Sequence, residues 1–207
     1  MKKLFATALC LFAFCVTTSA QSKATSLNFS YSPVGGIHEK IKLDDEKYNY
    51  DYKSVWAGTF SIEKQFKGAS TMSEFTYLQG TFDSYDLNGT SSRFDPAQTE
   101  DIKSFSFTQY IGTTFNSEQR FQFPLYLGFG GSYLLGGPFH NISFDVAAKA
   151  RLKFFITDNI ALIGGITGRY GWGAKRANEK STTSTSSSSY TITNTQWYVD
   201  AGLSISL

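Results

Sequence analysis

The stretch SFDVAAKARLKFF, residues 143–155, decides the fold. Asp145, Lys149, Arg151 and Lys153 occupy one phase of a two-residue alternation; Phe144, Val146, Ala148, Ala150, Leu152 and Phe154 occupy the other. Wound as a helix, the segment would gather Val146, Lys149, Ala150 and Lys153 on one stripe and mix charge into the apolar face. As a strand it separates the two sets cleanly onto opposite faces of a sheet. A soluble sheet would bury the apolar set and leave the charges in water. The inverse arrangement, with charges inside and the apolar set against lipid, is the alternative, and the rest of the chain chooses between them.

The N-terminus points to export. In MKKLFATALCLFAFCVTTSA two lysines precede an apolar run from Leu4 to Val16, and small residues close the segment at Thr18-Ser19-Ala20. This is the layout of a secretory signal cleaved after Ala20, and the run is too short for the roughly 20 residues of a membrane helix. The expected organisation is a signal peptide over 1–20 and one domain over 21–207. Both cysteines, Cys10 and Cys15, fall within the leader. An exported chain without disulfides needs another source of stability, and a closed barrel with every backbone group paired supplies one. Composition agrees: aromatics make up 16% and charged residues 17%, with 18 Gly and only 4 Pro. A net charge of +2 gives no reason to expect a nucleic-acid partner.

Eight segments alternate in this way. They are 26–32, 51–62, 73–82, 104–115, 120–134, 143–155, 159–173 and 195–207. The third, SEFTYLQGTF, carries apolar residues in both phases, so its facing stays open. In the second, Tyr52, Trp56, Phe60 and Ile62 form the apolar set. The links also sort by parity. Glu63–Thr71, Asn116–Gln119 and Thr157–Asp158 are short, whereas Val34–Tyr50, Asp83–Lys103 and Ala174–Asn194 are long and polar; Gly136–Asn141 is the exception. Short turns at one end and long loops at the other are the layout of a barrel in the outer membrane. Tyr50, Tyr52, Tyr170, Trp172, Trp197 and Tyr198 near the loop ends, and Phe66, Phe115, Phe121 and Phe154 near the turns, are the expected interfacial aromatics. A cation on the lipid face at mid-depth costs roughly 2–4 kcal/mol, so Lys149 and Arg151 are expected inside. The fold class is all-β: an eight-stranded antiparallel up-and-down transmembrane barrel.

On these segments, and on the ending Asp200-Ala201-Gly202-Leu203-Ser204-Ile205-Ser206-Leu207, the chain resembles the small eight-stranded outer-membrane β-barrels, the family of the OmpA membrane domain and OmpX. The resemblance implies a bacterial outer-membrane location, outer-membrane lipid and lipopolysaccharide as surroundings, and a final strand read by the barrel-assembly machinery. Asp200, Gly202, Ile205 and Leu207 would carry that assembly signal, with Leu207 standing where Phe is usual.

An eight-stranded barrel is just wide enough for side chains to fill it, so its inward charges should pair. Asp145, Arg169 and Asp200 are expected to form one ion cluster. Lys149, Arg151 and Lys153 lie lower, with Glu74 as their carboxylate across the lumen. The function expected is non-enzymatic: a monomeric surface barrel for envelope integrity or adhesion, open to an extracellular ligand or host surface. A narrow pore for small or hydrophobic solutes is one alternative. Another rests on a loose resemblance to the lipid A palmitoyltransferase, with His38, Asp83 and Ser84 as its site. His140 with Ser143 is discounted, because residues three apart on a strand face opposite sides. Asp44-Asp45-Glu46 is an acidic run in the first loop, and Ser181–Thr191 is a low-complexity stretch in the last. No cofactor or metal is expected.

Overall fold

The computed structural model describes residues 24–43, 46–66, 69–88, 90–92, 101–117, 119–136, 141–175 and 190–207; the leader and His140 lie outside the described residues. Among the described residues nine strands follow in order: β1 (Ala24–Leu43), β2 (Glu46–Gln65), β3 (Ala69–Leu87), β4 (Thr90–Ser92), β5 (Ile102–Phe115), β6 (Phe121–Leu135), β7 (Asn141–Phe155), β8 (Ile160–Lys175) and β9 (Tyr190–Ser206). Every pairing is antiparallel, and β9 returns to β1. Eight strands thereby close into a ring, and β4 is a short addition against the top of β3. Closure leaves no edge exposed to lipid, where an unpaired backbone group would cost several kcal/mol.

The faces are inverted. On β7, Phe144 and Phe154 are 57% and 51% exposed, whereas Asp145, Lys149, Arg151 and Lys153 are buried. The same holds for β8 and β9, where Leu162, Ile166, Val199 and Leu203 face outward and Thr167, Arg169, Tyr198 and Asp200 inward. On β3, Phe75 is exposed while Met72, Glu74, Thr76 and Leu78 are buried, which settles the facing that the sequence left open. A water-soluble chain has no use for such a surface.

One interruption shapes the upper barrel. The β1–β2 ladder stops at Ser32↔Ala57 and resumes, in the same register sum, at Ile37↔Tyr52. Between them Pro33–Gly36 faces Lys53–Trp56 without a rung, and Ser54 takes φ 50°. Both strands change phase here: Asn28, Ser30 and Ser32 are buried below the break, Ile37, Glu39 and Ile41 above it. On β2 the inward set changes from Ala57, Thr59 and Ser61 to Tyr50 and Tyr52. An unmatched change in one strand would force the other out of register; matched irregularities preserve it.

The break corrects the expected aromatic belt. Tyr50, Tyr52 and Tyr198 are interior, not interfacial, and Tyr52 does not share a face with Trp56. The rings that girdle the outer rim are Tyr31, Trp56, Tyr77 and Phe105, in tilted contact across β1, β2, β3 and β5 at centroid separations of 6.2, 5.4 and 5.0 Å. Tyr170 and Trp172, 4.8 Å apart, and Trp197 continue the belt on β8 and β9.

The segment 34–50 is also not a loop. β1 and β2 continue past the rim to Leu43 and Glu46, with only Asp44 and Asp45, outside the described residues, between them. β3 likewise runs on to Leu87, and β9 begins at Tyr190, so a sheet of β9, β1, β2 and β3 projects beyond the girdle. At the opposite end the links are tight, as the bonds Phe66 N to Ala69 O (2.7 Å) and Gln119 N to Asn116 O (2.9 Å) illustrate.

Candidate functional site: the barrel lumen

Among the described residues nine charged side chains are buried: Lys149, Arg151, Lys153 and Arg169 against Glu39, Glu63, Glu74, Asp145 and Asp200. Eight of them pair. Lowest in the barrel, Lys153 Nζ lies 2.7 Å from Glu63 Oε2, which Arg151 also approaches at 3.9 Å. Arg151 is 3.6 Å from Glu74, and Lys149 Nζ is 2.5 Å from Glu74 and 3.2 Å from Asp200. Tyr110 and Tyr198 donate their hydroxyls to Glu74 Oε1 at 3.3 and 3.2 Å, and Ser30 donates to Asp200 at 2.9 Å. The result is one connected chain from Glu63 to Asp200. Arg169 and Asp145 form a separate pair, 4.0 Å apart; Ser143 donates to the carboxylate at 2.7 Å and the guanidinium donates to Thr108 at 2.9 Å.

The expected grouping is thus redrawn. Asp200 belongs with Lys149 and not with Arg169 and Asp145. In register, Asp200 stands beside Gly165 and Gly165 beside Arg151, so the shear of the barrel brings the last strand's aspartate down to the lower cluster. Glu63 was not among the expected residues. The alternation of strand two continues one step past Ile62 onto it, and that step is the signal that finds it. Inward glycines make room for the carboxylates: a Cβ on Gly165 would sit 2.9 Å from Asp200 Oδ1, and one on Gly171 2.3 Å from Asp145 Oδ1.

Above this ionic floor the lumen changes character. Ile37, Ile41, Tyr50, Tyr52, Val55, Leu78, Ile102, Leu134 and Ile192 form a buried apolar cluster with Tyr198 at its lower edge. Outside the barrel, His38 Nδ1 and Asp51 Oδ1 are 2.7 Å apart, and Asp83 pairs with Lys53 at 2.8 Å. Ser84 stands across from Asp51 on β3, so the aspartate lies between the histidine and the serine. His38, Asp83 and Ser84 are therefore not brought together. No group of three or more His, Cys, Asp or Glu among the described residues is arranged to hold a metal ion.

A closed eight-stranded antiparallel barrel with a charged interior and an apolar, aromatic-belted exterior defines the class: this is a small outer-membrane β-barrel, placed in the bacterial outer membrane. No family model and no curated protein matches the chain. Solved structures do. OprG of Pseudomonas aeruginosa superposes with a TM-score of 0.54 at 10% identity, covering 90% of this chain and 97% of that one. The outer-membrane protein AlkL, solved in lipid bilayers, gives 0.50 at 12% identity, covering 90% of each. The outer-membrane protease OmpT of Escherichia coli also matches, with a TM-score of 0.45 at 10% identity over 90% of this chain and 97% of that one. At these identities the likeness is one of fold.

Proposed function

We propose that this barrel is a non-conducting, non-enzymatic surface protein that presents the projecting β9–β1–β2–β3 sheet to the cell exterior, in support of the envelope or of adhesion. The observation that carries the reading is the set of paired charges that fills the lumen below Glu39. Lys149, Arg151, Lys153 and Arg169 are matched by Glu63, Glu74, Asp145 and Asp200, and an interior filled by paired side chains leaves no path for ions. The separation of Ser84 from His38 supports the absence of a hydrolytic or acyl-transfer site, since a nucleophile needs its base within hydrogen-bond reach. The girdle suits outer-leaflet lipid and lipopolysaccharide, and the barrel works as a monomer. Its last strand is the segment the assembly machinery reads, through Asp200, Gly202, Ile205 and Leu207; a Cβ on Gly202 would meet the Phe29 carbonyl oxygen at 1.9 Å, a second reason for glycine there.

Planar-bilayer recording of the purified protein is the test, with no stepwise current expected. Steady single-channel openings would replace this reading with the pore. The apolar upper lumen favours a second reading, passage of a small hydrophobic solute, which conductance does not sense. Equal accumulation of a fluorescent apolar solute in deletion and complemented cells would dismiss it.

A further inference from the structure

Glu39 is the surplus charge. Each of the other buried carboxylates has a cation, yet among the described residues Glu39, 1% exposed on the inward face of β1, has none, and its Oε1 accepts no hydrogen bond from them. Leaving a buried carboxylate uncompensated is costly, and the same barrel avoids that cost at four other positions. Its surroundings are specific. Tyr50 stands directly across on β2 and Asn194 across on β9, with Tyr52 next along the inward face of β2. The carboxamide of Asn141, from the top of β7, also faces it, near enough to favour the charged carboxylate, though no described group completes a well-aligned hydrogen bond with either end of that carboxamide. An aromatic row leads from the rim to this point: Tyr48 stacks on Tyr50 at 6.5 Å and Tyr50 on Tyr85 at 6.4 Å.

A lone carboxylate flanked by tyrosines is complementary to an organic cation, because an aromatic ring and a carboxylate attract the same positive charge. We propose that the mouth of the lumen, at Glu39, Tyr50, Tyr52 and Asn141, binds a small organic ammonium ion carrying an apolar group. The ammonium pairs with Glu39 and donates to Asn141, and the apolar group packs against the tyrosines. The site goes beyond the proposed surface role and is independent of whether the lumen conducts.

Burial without a cation raises the Glu39 carboxyl to about 7, only partly offset by Asn141. The phenols facing it, Tyr50 at about 12 and Tyr52 higher still, stay neutral through the physiological range. His38 lies on the opposite face of the same strand, against Asp51. An ammonium ligand therefore binds the ionised carboxylate, and affinity climbs about tenfold from pH 6 to pH 8 as Glu39 loses its proton.

The experiment is calorimetric titration of the refolded barrel in detergent micelles with phenethylammonium, and with 2-phenylethanol as its uncharged counterpart. The expected result is saturable binding of the cation alone, proton release at pH 6.5 in buffers of differing ionisation enthalpy, and at least tenfold weaker binding by Glu39→Gln with unchanged heat-modifiability on a gel. Proton release is read on the wild-type protein, so the proposal stays exposed even if the variant fails to fold. Equal binding of the alcohol, no binding of either probe, or undiminished binding by Glu39→Gln would overturn it.

Discussion

Glu74 is where the interior is most sensitive to a single atom. Its carboxylate holds Lys149 and Arg151 and accepts from two tyrosines, so Glu74→Leu takes the nearest carboxylate from two buried cations at once, leaving Lys149 to Asp200 and Arg151 to Glu63 at 3.9 Å. The expected loss is about 3–5 kcal/mol, read by urea unfolding in detergent or vesicles; a loss under about 1 kcal/mol would mean water already solvates the cluster. Glu74 was legible in the sequence because it is the carboxylate that lies low on strand three, whatever that strand's facing. Asp200 was legible as inward but not in its partner, because counting down from loop ends ignores the shear that lowers β9 against β7. Glu39 was not legible, since it fell in a segment read as a loop. Its pH signature has a definite sign. With the folded carboxyl at about 7 against an ordinary 4.5, the folded state holds a proton that the unfolded chain releases. Stability is therefore highest below pH 4.5 with respect to this group and falls as pH rises through 7, by about 3 kcal/mol over the window. Glu39→Gln should flatten that slope in melts between pH 5 and 8, and an unchanged slope would show that the carboxyl titrates normally.

At the scale of elements, the alternation of β5 to β9 was readable because each keeps a single phase through the bilayer, as in Phe105, Phe107 and Ile111 or Leu162 and Ile166. The upper parts of β1 and β2 were unreadable for one physical reason: a matched pair of irregularities changes the phase of both strands, and periodicity carries no sign of it until the backbone is seen. Pro33 and Gly35-Gly36 are the traces left in the sequence, a residue without an N–H followed by two that tolerate close backbone approach. Ser54 and Val55 are paired to neither neighbour in register. Their amides should exchange with deuterium at least about a hundredfold faster than those of Phe60 and Ser61 on the same strand. Protection equal to the rest of β2 would mean that the ladder is continuous there. Ser54 itself holds a left-handed backbone, so Ser54→Gly should stabilise the barrel by about 1 kcal/mol, visible as a raised melting temperature.

For the whole molecule, inversion and closure are one argument. Lipid outside accepts the apolar faces, closure satisfies the backbone, and the narrow bore then brings the inward charges of its lower part into pairs, leaving Glu39 above them as the exception. Four cations met by four carboxylates are the consequence, and in the proposed reading these side chains are what obstructs flow. Obstruction by side chains can be removed without unbalancing the charge. Replacing Lys149 and Glu74 together by alanine takes away one cation and one carboxylate, leaves Lys153 with Glu63 and Arg151 between Glu63 and Asp200, and deletes the pair that spans the middle of the bore. The double variant is expected to refold and to show small, brief current steps in planar bilayers where the parent shows none. Removing Lys149 alone should destabilise the barrel more than removing both, because Glu74 is then left facing only Arg151 at 3.6 Å. If the double variant stays silent while its unfolding midpoint matches the parent, the block to ion passage lies higher, in the apolar cluster around Val55 and Tyr52.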